Sequence, residues 1–150
     1  MYFFASSAQL TGNLFLDFLG NPDALFVFQI GSTLTTASGS TVSEINGGQG
    51  ANVFFQVGSS ATLGTTTAFM GTILADQSIT LNTGASITCG RAIALNAAVT
   101  MDNNVISNSC SSAVATVPEP STLALLVLPL ALLGFVRHER RTMPSAVMMA

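Results

Sequence analysis

Charge is what this sequence has least of. Only 7% of its 150 residues are Asp, Glu, Lys or Arg, where a globular chain normally carries roughly a quarter. Residues 1–116 hold one cation, Arg91, against Asp17, Asp23, Glu44, Asp76 and Asp102. No basic patch exists there to meet a phosphate backbone, which argues against nucleic acid as a partner. Tryptophan is absent, and the one histidine, His138, lies in the C-terminal tail. Two cysteines, Cys89 and Cys110, are too few to hold a metal by themselves, so no metal site is expected. The carboxylates do not cluster either. Asp76 and Asp102 read as turn residues and Arg91 makes no catalytic partner for them, so neither a catalytic site nor a cofactor is expected. Residues 1–9, MYFFASSAQ, lack the basic start, apolar run and cleavage site of a signal peptide.

What the chain does have is Gly, Ser, Thr, Ala and Asn, with Val, Ile, Leu and Phe recurring at strand spacing, a pattern that excludes disorder. It also repeats. FQIGSTLTTASGSTV at residues 28–42 is followed by FQVGSSATLGTTTAF at 55–69, ILADQSITLNTGASI at 73–87 and IALNAAVTMDNNVI at 93–106. Matching Thr35 to Thr62, Thr80 and Thr100 gives steps of 27, 18 and 20 residues. A period near 20 with short alternating strands is the mark of a solenoid, in which stacked coils bury what one coil cannot. Strands are expected at 52–57, 60–63, 69–74, 78–81, 86–88, 92–95 and 98–101, with Gly58, Gly64, Gly71, Gly84 and Gly90 at the corners. The alternation is already running at Leu10, so the expectation is that a further N-terminal portion precedes the chain. Cys89 and Cys110 are about one coil apart and read either as two small buried thiols or, in an exported protein, as a bridge.

Alternation assigns the faces. Ala61, Leu63, Ile79, Leu81, Val99 and Met101 point inward, and Ser60, Thr62, Ser78, Thr80, Ala98 and Thr100 point out. Outward files then sit about 4.8 Å apart between coils and about 6.6 Å apart along a strand. A second small-residue set occupies the next corner: Ser38-Gly39-Ser40-Thr41, Thr65-Thr66-Thr67-Ala68 and Thr83-Gly84-Ala85-Ser86. β-branched Thr holds few rotamers, so its hydroxyl and methyl stay in place. A stiff lattice of hydroxyls and methyls suits ordered water as its target. Periodicity alone favours a plainer account, since Ser/Thr ladders also satisfy one another in stacked strands.

These repeats, over residues 7–106, closely resemble the ice-binding-like family of β-solenoid antifreeze and adhesin proteins. The resemblance implies an all-β fold, an irregular right-handed β-helix of triangular section with a long α-helix alongside. It also implies a flat face that binds ice through loose Thr-Ala/Gly-X-Thr/Asn elements. Carried over, those elements correspond to Ser38 and Thr41, Thr65 and Thr67, and Thr83 and Ser86, with Ser60, Thr62, Ser78, Thr80 and Thr100 as the alternative face. Three departures stand out: Thr66 occupies a small Gly/Ala position, Ala68 replaces a hydroxyl, and Asn103-Asn104 replaces the last Thr element. The segment that would supply the long helix is expected to belong to the preceding portion.

The C-terminal part reads separately. Residues 107–116 form a small polar linker. Val117-Pro118-Glu119-Pro120-Ser121 follows, then an apolar run at 122–136 and a basic cluster with Arg137, Arg140 and Arg141. The run is shorter than the roughly 20 residues of a comfortable membrane span. It reads as a buried helix or, with cations directly after it, as a membrane-directed tail with a cytoplasmic C-terminus. The combination resembles a PEP-CTERM sorting signal over residues 117–141, with 142–150 as an extra tail. That implies a Gram-negative bacterium, recognition by an exosortase, and a hydrophobic helix at 122–136 acting as a transient inner-membrane anchor before delivery to the cell surface or extracellular matrix. The reading is therefore a surface-delivered ice-binding protein that is not an enzyme, with a 1–106 solenoid. The alternative is an extracellular biofilm-matrix adhesin or structural solenoid without ice activity.

Overall fold

A computed structural model of the chain describes residues 1–47 and 50–110. The C-terminal hydrophobic helix and inner-membrane anchor expected at 122–136, and the sorting signal around them, lie outside the described residues.

Short strands separated by glycine-rich corners build a β-solenoid. The first coil comprises β1 (Tyr2–Phe4), β2 (Ala8–Leu10) and β3 (Asn13–Asp17), and the second β4 (Phe26–Ile30), β5 (Leu34–Thr36) and β6 (Thr41–Ile45). The third holds β7 (Val53–Val57), β8 (Ala61–Leu63) and β9 (Ala68–Met70), and the fourth β10 (Thr72–Ala75), β11 (Ile79–Leu81) and β12 (Ser86–Thr88). β13 (Ala92–Ala94), β14 (Val99–Met101) and β15 (Val105–Ile106) close the fifth. Each coil gives one strand to each of three five-stranded parallel sheets, ordered β1-β4-β7-β10-β13 (sheet A), β2-β5-β8-β11-β14 (sheet B) and β3-β6-β9-β12-β15 (sheet C).

The register explains the uneven sequence period. Tyr2 lies over Phe28, Phe28 over Phe55, Phe55 over Ile73 and Ile73 over Ala92. The two early coils are longer because wide loops lead from β3 to β4 and from β6 to β7, whereas Gly71 alone separates β9 from β10. Here the structure corrects the continuous strand expected at 69–74. Gly71, with φ 105°, turns the chain from sheet C to sheet A within that stretch.

Inward residues stack on their own kind. The Phe28 ring lies parallel to Tyr2 at 4.9 Å and to Phe55 at 4.5 Å, and Phe55 meets Phe69 tilted at 4.7 Å. Offset or tilted ring pairs at these distances each add about 0.5–1.5 kcal/mol beyond area burial. Val53, Ala61, Leu63, Ile73, Ala75, Ile79, Ala85 and Ile87 are fully buried, so the core is centred on the third and fourth coils. Val99 and Met101 hold inward positions on the last coil, but Met101 stays 57% exposed because no described coil covers it. Among the described residues, no buried side-chain nitrogen or oxygen lacks a hydrogen-bond partner.

Cys89 and Cys110 form a disulfide, with Cα atoms 4.4 Å apart, which settles the choice left open by their spacing. Residues 107–110 thus begin tied to the solenoid: the Ser107 amide donates to the Ile87 carbonyl, and the Ser107 carbonyl accepts from Gly90.

The corner between sheets A and B stacks glycine directly on glycine. A Cβ built on Gly58 would sit 2.5 Å from the carbonyl oxygen of Gly31, a backbone atom that no rotamer change can move. The Gly58→Ala variant is therefore expected to lose about 2–3 kcal/mol by overpacking. Thermal unfolding followed by circular dichroism should show a midpoint lower by roughly 10 °C or more.

Candidate functional site

Sheet B is the most regular of the three. All five of its strands are three residues long, whereas strand length varies in sheets A and C. Its outward positions form columns. Gln9, Thr35, Thr62, Thr80 and Thr100 stack at the strand centres. One step before each strand start stand Ser7, Thr33, Ser60, Ser78 and Ala98. A third column runs along the adjoining corner with sheet C. There Gly39 donates to the Thr65 carbonyl, Thr66 to that of Thr83 and Gly84 to that of Asp102, which sets Ser38, Thr65, Thr83 and Asp102 in line.

Hydrogen bonding separates the columns. In the first, hydroxyls pair between coils: Thr33 Oγ1 donates to Ser7 Oγ at 2.8 Å and Ser78 Oγ to Ser60 Oγ at 3.0 Å. The central column behaves differently. No side chain within the described residues bonds the hydroxyls of Thr35, Thr62, Thr80 or Thr100, so their donors and acceptors face outward. In the corner column Ser38 and Thr65 are exposed, while Thr83 donates to the Asp102 carboxylate.

The two sequence-derived sets therefore meet on one surface. Ser60, Thr62, Ser78, Thr80 and Thr100 supply two columns, and Ser38, Thr65 and Thr83 add the corner. Three residues fall elsewhere. Thr41 and Ser86 lie past the corner on sheet C, where Thr41 Oγ1 donates to Asn13 Oδ1 at 2.9 Å. Thr67 is 0% exposed, its side chain turned into the core, so it cannot touch an external ligand. The outer position in register with Thr41 and Ser86 is held by its neighbour Ala68. Ser7, Thr33 and Thr35 extend the columns into earlier coils. Their signal was the long early period, legible once the two wide loops are discounted.

The other sheets offer different surfaces. Outside sheet A, Val27, Phe54, Leu74 and Leu95 line an apolar groove of 610 Å³ with Gln56 and Asp76. The Asp17 carboxyl is held below its ordinary range by hydrogen bonds from the Asn46 amide and the Leu19 N–H, at the end of β3 and away from the hydroxyl columns. Among the described residues no group of three His, Cys, Asp or Glu side chains could hold a metal.

These features define a parallel β-solenoid in which one sheet, with no ionic residue in its strands, presents hydroxyls in columns. The ice-binding-like family model matches residues 1–107, and a PEP-CTERM protein-sorting motif matches residues 116–141. The chain belongs to the ice-binding-like family. It is 61% identical over 144 residues to an ice-binding protein of Nostoc sp., an alignment covering 93% of this chain and 53% of that protein. With ice-binding protein 1 of Shewanella frigidimarina it shares 38% identity over 100 residues, covering 66% of this chain and 11% of the relative. The chain thus spans about half of the Nostoc protein and less of the Shewanella one. Among solved structures, an ice-binding protein from an Antarctic biological consortium superposes with a TM-score of 0.68 at 47% identity, covering 71% of this chain and 48% of that one. An ice-binding protein from the Antarctic ascomycete Antarctomyces psychrotrophicus gives 0.67 at 38% identity, covering 72% and 52%.

The corner column rests on a strained backbone at one place. Gly39, Thr66, Gly84 and Asn103 occupy one register position, and all have φ between 52° and 71°. Glycine and asparagine take this left-handed conformation readily; a β-branched threonine is penalised by about 1–2 kcal/mol. Thr66→Asn is expected to raise stability by about 1 kcal/mol and the unfolding midpoint by roughly 4–8 °C, measured by calorimetry.

Proposed function

We propose that this chain binds ice through sheet B and its corner with sheet C. The observation that carries the reading is the central column: stacked threonines whose hydroxyls have no partner among the described residues, on the one sheet whose strands all match in length. Stacking fixes the spacing between coils near 4.8 Å and the pleat fixes it near 6.6 Å along each strand. Threonine's restricted χ1 then holds hydroxyl and methyl in a repeating grid. Hydroxyls anchor water into the layer, while the methyls between them disfavour disordered water beside it. The strands of sheet B carry no ionic side chain to organise competing hydration, and the Asp102 carboxylate at the corner accepts from the Thr83 hydroxyl. The ice-binding names of the relatives support the same reading.

The sorting motif supports a route. Residues 116–141 match it, so the protein is read as exported, recognised by an exosortase near Pro118-Glu119-Pro120, and delivered to the surface of a Gram-negative cell. The apolar run at 122–136 acts on this reading as the transient inner-membrane anchor. Nothing in the grid requires catalysis, and the protein is read as a binder of ordered water.

The test places a bulky ring in each column. Thr80→Tyr at the centre and Thr83→Tyr at the corner are expected to remove thermal hysteresis and ice-recrystallisation inhibition without changing the circular-dichroism spectrum. Ser43→Tyr on sheet C should leave both activities intact. Undiminished activity in Thr80→Tyr would rule out sheet B as the ice-contacting face. A folded wild-type chain inactive on ice but retained on matrix polysaccharide would favour the adhesin reading.

A further inference from the structure

Behind the corner column lies a second column, buried at Ser40, Thr67 and Ala85 and half-buried at Asn104. Ser40, Thr67, Ala85 and Asn104 each precede residues paired across sheet C, Thr41, Ala68, Ser86 and Val105, and so share one register position. Three of the four carry a donor that reaches back to the preceding coil. Ser40 Oγ donates to the Leu10 carbonyl at 3.2 Å, Thr67 Oγ1 to that of Ala37 at 3.3 Å, and Asn104 Nδ2 to that of Asn82 at 2.8 Å. The acceptors belong to the end of a sheet B strand or the residue after it, just before the exposed corner positions.

At Thr67 the link is longer. Gly64 N–H donates to Thr36 Oγ1 at 2.9 Å, and the Thr36 and Thr67 hydroxyls are 2.8 Å apart. A hydroxyl has one proton, and that of Thr67 goes to Ala37, so Thr36 donates to Thr67. The chain Gly64–Thr36–Thr67–Ala37 therefore closes between the second and third coils with every group satisfied, at 6% and 0% exposure for the two threonines. Such networks rigidify what they join when each member is paired. Between the third and fourth coils the device is missing: Ala85, also 0% exposed, brings no donor to the Gly64 carbonyl, which receives only the Thr67 amide.

We infer that Ser40, Thr36, Thr67 and Asn104 are positioning residues for ice recognition, holding Ser38, Thr65 and Thr83 at fixed spacing, and that Ala85 is the loose rung of this ladder. The inference rests on the proposed ice-binding reading. It places the importance of Thr67 in what it holds from behind, since it does not face ice.

Full-length variants Thr67→Val, Thr67→Ser and Ala85→Ser test it, with thermal hysteresis measured near 0 °C on samples shown to be folded. Amide hydrogen exchange is followed at Gly39, Gly64, Thr66 and Gly84. Thr67→Val keeps the shape and removes the hydroxyl. It is expected to lose roughly half of the hysteresis or more, with faster exchange confined to the corner, because pre-organised contact geometry is lost. Thr67→Ser restores the link and the activity, and Ala85→Ser slows exchange at Thr66 and Gly84 and raises hysteresis. Wild-type hysteresis and corner exchange in folded Thr67→Val, with only a lower melting temperature, would overturn the inference. If wild type itself does not act on ice, the ice-binding reading falls. The exchange data then decide the device alone: corner exchange unchanged in Thr67→Val and Ala85→Ser overturns it.

Discussion

Everything in this solenoid depends on the backbone spacing between coils. Parallel strands hydrogen-bond at about 4.8 Å, and that distance is imposed on every side chain above and below. Like residues meet like: rings on rings inside, hydroxyls over hydroxyls on sheet B. Where the chain turns, the same spacing leaves no room for a Cβ. The Gly31 and Gly58 stack and the approach of Gly90 to the Gly71 carbonyl mark the places where composition is dictated by contact with another coil. With so few ionic groups, registry is left to shape and to the amide ladder.

Much of this was legible in the chain because a solenoid writes its third dimension into its sequence period. The pairing of Thr35, Thr62, Thr80 and Thr100 followed from their spacing, and the structure stacks these residues as neighbours. The buried class of Ala61, Leu63, Ile79 and Leu81 followed from alternation. Where reading failed, alternation was interrupted. At 69–74 a single residue, Gly71, turns the corner between two apolar pairs, Phe69-Met70 and Ile73-Leu74, a turn so short that the stretch reads as one strand even with Gly71 marked as a corner glycine. Thr67 was misplaced for a related reason. The corner takes one residue in a left-handed conformation, which shifts the inside–outside phase by a step, so a motif matched by residue type puts its last hydroxyl on the wrong side. The disulfide was a matter of distance that spacing alone left open.

The three outer surfaces differ in what they ask of their surroundings. Sheet B shows hydroxyls in columns, sheet A shows Val27, Phe54, Leu74 and Leu95, and sheet C mixes Asn13, Thr41 and Ser43 with the exposed ring of Phe15. One backbone design thus carries an apolar wall and a hydroxyl grid on adjacent faces. Interior positions constrain both only through alternation, which leaves the outward residues free to follow function.

The link between Cys89 and Cys110 has a mechanical consequence. β15 pairs with β12 through two residues only, a weak grip for a chain that continues for 40 residues beyond Cys110. A pull on that continuation reaches Cys110 first and passes through the covalent bridge to the corner after β12. The load enters the solenoid a full coil inward from its end, so the outermost hydrogen bonds are spared.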